Sequence, residues 1–147
     1  MVLTLIHHAY GAIIYEAPFR LHAVYFAIPV IVILLFTYQM YRKRASAVSG
    51  KVAFWVFMVV TVLISVGMIG LFEGGYNHLV KNLLYFGGTS QATLIQLFPP
   101  PTYEMPNDFW FEATGILQFF SGVYCMYYLF RLWKEKSSRR LYEAARI

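Results

Sequence analysis

Charge is scarce in this chain. Asp, Glu, Lys and Arg make up 13% of its 147 residues, whereas a soluble globular domain carries roughly a quarter. That shortage excludes a conventional water-facing surface over much of the molecule. Cysteine is scarcer still: Cys125 stands alone, which excludes an intrachain disulfide and any CxxC pair. The compact metal signatures HExxH and HxxxH are missing too. No basic start with a small-residue cleavage site marks residues 1–19 as a secretory signal. No inverted repeat of broken helices is present, which argues against a self-contained transporter.

What the chain has instead is apolar length. Hydrophobic residues make up 59% and aromatic residues 19% of it. A helix needs about 20 apolar residues to cross the hydrocarbon layer of a bilayer. Residues 21–41, 52–72 and 109–130 meet that length, and Glu112 is the one carboxylate inside any of them. The sequence therefore predicts an all-α integral membrane protein of three transmembrane helices, with short interfacial helices on one side.

Residues 1–20 are apolar but interrupted by His7 and His8 and closed by Glu16 and Pro18. They read as an interfacial or re-entrant segment, with a fourth span as the alternative. Residues 42–51 form a loop between the first two spans, 73–108 a long connection, and 131–147 a basic tail. Within the connection, Leu79, Val80, Leu83 and Leu84 recur at helical spacing, so 77–86 is predicted to be a surface helix ended by Gly87 and Gly88. Gln91 to Phe98 repeats the pattern more weakly. Pro99, Pro100 and Pro101 then open a stiff stretch through Pro106 that serves either as a cover over the helix ends or as a spacer. Pro29 is expected to kink the first span.

Arg42, Lys43, Arg44, Lys51, Arg131, Lys134, Lys136, Arg139, Arg140 and Arg146 fall on one side of these spans, leaving Arg20 and Lys81 on the other. The basic side is expected to be cytoplasmic, in a plasma (inner) membrane, with the N-terminus outside. Those clusters fix topology and meet anionic headgroups, and nucleic acid is not among the partners expected. The expected partners are the lipid bilayer and other membrane subunits, or further copies of the chain.

The opposite side holds Glu16, Glu73, Glu104, Asp108 and Glu112 with all of the chain's 4 histidines. Ionisable groups near a membrane are costly unless they face the bundle or water, so they mark function more often than the same groups on a soluble surface. Imidazole and carboxylate together suit a first-row transition metal ion, here iron, copper, zinc or manganese. The candidate ligands are His22, Glu73, His78 and Glu112, with Glu104, Asp108, Asn77 and Tyr103 as residues that orient them. Asn77 would share a face with Glu73 if the second helix continues past Gly74 and Gly75. A b-type haem between His22 and His78 is a narrower alternative, because neither histidine lies deep enough in a helix to hold the ring.

Each residue also has a purely structural reading. Asp108 fits a helix N-cap, Glu73 and His78 fit a membrane boundary, and His22 fits an interfacial position. The polar residues Thr37, Gln39, Thr61, Ser65 and Gln118 look scattered in sequence and trace no pathway. Two functions follow from this pattern. One is a metal or proton-handling site, with redox or lipid-directed chemistry. The other is a non-catalytic accessory or assembly subunit of a membrane complex.

Overall fold

A computed structural model describes the backbone of residues 1–144 and the side chains of residues 1–135. Arg146 lies outside the described residues, as do the side chains of Lys136, Arg139 and Arg140. The described chain is helical and contains no strand. Helix α1 is Val2–Ile14, and a 3-10 turn at Pro18–Arg20 leads into α2, Leu21–Lys43. Helix α3 runs Val48–Phe86, α4 is Gln91–Leu97, and α5 is Phe109–Ala144.

Two helices, Pro18–Lys43 and Val48–Phe86, are long and apolar enough to cross a membrane. Only 17% and 28% of their most apolar windows are buried, so neither resembles the core helix of a soluble domain. Large apolar side chains instead face outward, Tyr25 at 70% and Phe36 at 63% exposure among them. In α5, which is almost as long as α3, Gln118, Tyr124, Tyr127 and Tyr128 dilute the apolar stretch. Helix α2 passes through Pro29 without a break.

Helix α1 is inside out. Thr4, His7, His8 and Gly11, at the i, i+3, i+4, i+7 spacing of one helix face, are buried. Val2, Ile6 and Ile13 are exposed. This helix packs against α2 and α5, with Thr4 Oγ1 donating to Gln118 Oε1 at 2.9 Å. The segment expected at the interface is thus wedged among the longer helices, polar face inward.

Helix α3 does not stop at Phe72. It continues to Phe86, so the surface helix expected over 77–86 is its last part, and Gly87 and Gly88 end it, Gly88 with φ of +82°. Between α-helical ends, Thr61–Val80 is wound as a wide π-helix with i→i+5 bonding. Gly67, Gly70, Gly74 and Gly75 lie in this stretch. Helix α5 packs closely along it: a Cβ on Gly122 would lie 2.7 Å from the Gly70 Cα, so the two backbones touch only because both residues are glycine.

After α3 the chain folds back. Ser90 caps α4 by accepting from the Thr93 amide. Helix α4 and the proline stretch that follows are tied to the bundle: the Tyr76 hydroxyl donates to the Leu97 carbonyl at 3.1 Å, and Lys81 Nζ donates to the Glu104 carbonyl at 2.5 Å. Phe98 is fully buried beneath it.

Candidate metal centre

Three helices place ionisable side chains at one point. On α3 the π winding matters directly. In an α-helix, residues five apart diverge by roughly 140° around the axis, but an i→i+5 ladder brings them onto one face. Glu73 and His78 are so related. Asn77 joins them, its Nδ2 donating to Glu73 Oε2 at 2.7 Å.

Helix α1 supplies His7 and His8. The His7 ring stacks on Phe111 of α5 with centroids 4.2 Å apart, and meets the His78 ring edge to face at 4.7 Å. Gly115 of α5 leaves the space that the His78 ring fills. A Cβ there would lie 2.2 Å from the His78 Cγ.

The imidazoles converge on one carboxylate oxygen. From Glu73 Oε1, His7 Nε2 lies 3.8 Å away, His8 Nε2 3.6 Å and His78 Nε2 3.6 Å. His7, Glu73 and His78 each offer one ligand atom within 4.8 Å of the other two, a group that could hold a metal ion.

Hydrogen bonds on the far side of each ring decide what Nε2 presents. The Thr114 hydroxyl donates to the Trp110 carbonyl at 2.7 Å, so toward His7 Nδ1, 3.0 Å away, it acts as acceptor. With the Thr114 hydrogen on the Trp110 carbonyl, the His7 proton sits on Nδ1 and Nε2 is the atom free to bind an ion. That Nε2 is buried and has no hydrogen-bond partner in the protein. His78 Nδ1 donates to Glu112 Oε2 at 2.8 Å, the carboxylate–histidine pairing that orients metal ligands. His7 Nε2, His78 Nε2 and Glu73 Oε1 face one another, and the Glu73 charge calls for a proton on an imidazole or a cation among the three atoms.

The charges around the centre are otherwise matched. Glu112 pairs with Lys81 Nζ at 2.9 Å and also accepts from Asn82. Glu104 lies 3.6 Å from Arg20. Among the described residues, the ionic neighbours of Glu73 are imidazoles.

A half-open cavity of about 200 Å³ adjoins Glu73, bounded by His8, Arg20, His22, Phe72, Tyr103 and Phe111. Thr102 of the proline stretch also lines it, and the Arg20 guanidinium lies 3.5 Å from the Thr102 carbonyl. The proline stretch thus covers part of the site. Burial raises the Tyr103 phenol above its ordinary range, and the Glu73 charge adds to the effect, so Tyr103 meets the cavity as a neutral donor.

The residues singled out from sequence fall into distinct places. Glu73 and His78 stand at the centre, with Asn77 bonded to Glu73. Glu112 touches His78 from behind rather than facing the ion position. His22 lines the cavity, but its Nδ1 lies 2.5 Å from the Phe19 carbonyl and its ring centroid is 6.5 Å from that of His8. Asp108 caps α5 through the Phe111 amide at 2.8 Å and accepts from Tyr10. Sequence reasoning passed over His7 and His8 as ligands. The signal that could have found them is the Thr4, His7, His8, Gly11 face of an otherwise apolar helix.

No protein-family model, no curated protein and no solved structure matches this chain. Its chemistry is read from these residues.

Proposed function

We propose that this chain is a membrane-embedded metalloprotein that holds one first-row transition ion at His7, Glu73 and His78, with His8 beside Glu73. The observation that carries the reading is the convergence of three imidazole Nε2 atoms on Glu73 Oε1 at 3.6–3.8 Å. A set of imidazoles with one carboxylate suits iron, copper, zinc or manganese. The cavity beside Glu73 leaves a coordination position for an incoming ligand, as metal sites that do chemistry require. Its aromatic walls suit a small lipophilic molecule entering at the membrane surface. Three spans carry the bundle, with α5 as the third, and the outward-facing apolar side chains contact lipid.

Elemental analysis of detergent-purified protein, as isolated and after reconstitution with Fe(II), Cu(II), Zn(II) or Mn(II), tests this. About one ion per chain is expected, with near-complete loss in His7→Ala combined with His78→Ala. Thr114→Val removes the acceptor that fixes the His7 tautomer and should weaken binding roughly 10- to 100-fold. A wild-type protein that retains none of these ions, folded and after reconstitution, would falsify the proposal.

A further inference from the structure

A second half-open cavity, of about 270 Å³, lies where α1, α2, α3 and α5 meet, with Met1 at its edge. Thr4, Thr61, Ser65, Gln118, Ser121 and Cys125 line part of it, against apolar walls that include Leu34, Phe57 and Ile69. Three of the polar residues that look scattered in the sequence, Thr61, Ser65 and Gln118, are therefore gathered at one place.

Their hydrogen bonding is incomplete. Gln118 is 2% exposed, and while its Oε1 accepts from Thr4, its Nε2 has no partner in the protein. Ser65 Oγ is likewise buried without one. Thr61 Oγ1 donates to the Phe57 carbonyl, leaving its lone pairs free to accept. A buried amide or hydroxyl left unpaired costs about 1–3 kcal/mol, and an apolar occupant would leave that cost in place. Water would remove it: the space exceeds the roughly 30 Å³ share of one water several times over, and two to four polar partners are at hand.

The position of this cavity is informative. Thr4 lies one helical turn before His7, and Gln118 one turn after Thr114, which bonds His7. We propose that this cavity is a hydrated chamber whose waters bind Gln118 Nε2 and Ser65 Oγ, giving the His7 side of the His/Glu centre a wet inner flank. The chamber stands on its own polar lining, so it does not depend on whether the centre holds a metal.

Cys125 borders the cavity and is the chain's single thiol, so it reports on the chamber without engineering. The experiment compares labelling of Cys125 in liposome-reconstituted protein by a methanethiosulfonate with a fixed quaternary charge and by neutral N-ethylmaleimide. In the wild type the charged reagent should react, at a rate that falls at least about tenfold in Gln118→Leu combined with Ser65→Ala. N-ethylmaleimide should change less than about twofold. The single Ser65→Ala variant, which removes only one oxygen, should give an intermediate rate and covers the case in which the double variant misfolds. A wild-type Cys125 inert to the charged reagent, or equal charged-reagent rates in wild type and the Ser65→Ala variant, overturns the proposal. Metal content, measured on the same samples, fails or holds separately.

Discussion

Replacing Glu112 by alanine is expected to destabilise the folded protein by about 3–5 kcal/mol, the cost of leaving a buried charge without its partner. Lys81 is 2% exposed, and Glu112 is its ionic partner at 2.9 Å, the other acceptor being the Glu104 carbonyl. Glu112 also accepts from His78 Nδ1 and Asn82 Nδ2, so the same change strips three donors at once. Reversible denaturation in mixed micelles would measure the loss. The double variant Glu112→Leu, Lys81→Met should recover the part due to the unpaired Lys81 charge, while His78 Nδ1 stays without its acceptor. If the single and double variants are equally unstable, the pair is not the source of the cost.

The second large effect is expected at Gly115. Its missing side chain is the space that the His78 ring occupies, and a Cβ would come within 2.2–2.4 Å of Cγ, Nδ1 and Cδ2 of that ring. Gly115→Ala must therefore expel the ring or part α5 from α3, costing about 1–3 kcal/mol as overpacking does. Expulsion would break the Glu112 bond and withdraw Nε2 from Glu73, so metal content should fall as far as in His78→Ala. In a His78→Ala background the clash is gone, and Gly115→Ala should then cost well under half as much. Additive costs in that cycle would show that ring and glycine do not compete for the same space.

Much of the scaffold is legible in the residues. Apolar runs at 21–41 and 52–72 fall within the two helices long enough to span a membrane, because nothing in them carries charge. Gly87, Gly88 and the Ser90 cap mark their helix ends locally, through backbone freedom and a side-chain acceptor. The sequence places Glu73 and His78 after the second apolar run and Glu112 at the start of the third, and antiparallel packing of α3 and α5 brings these three together while leaving His22 on the cavity wall.

What escaped has a physical reason in each case. Glu73 and His78 share a face only because Thr61–Val80 is π-wound, and a 3.6-residue reading separates them. His7 and His8 enter the site from more than 60 positions away in sequence, and only the packing of α1 among α2 and α5 brings them there. Viewed alone, α1 is an apolar segment spoiled by two histidines. In the fold its polar face is the buried one, and that inversion is what the sequence pattern encodes. Thr61, Ser65 and Gln118 likewise come together only through the packing of α5 on α3, and α1 adds Thr4 to them.

The central claim is that imidazole nitrogens of His7 and His78, with Glu73, bind one ion. X-ray absorption of the metal-loaded protein tests it most directly. The account predicts a first shell of nitrogen and oxygen at roughly 2.0–2.2 Å, with the outer-shell scattering of at least two imidazole rings, diminished in His7→Ala and again in His78→Ala. A spectrum of oxygen ligands without imidazole scattering, or one unchanged by both substitutions, would contradict it.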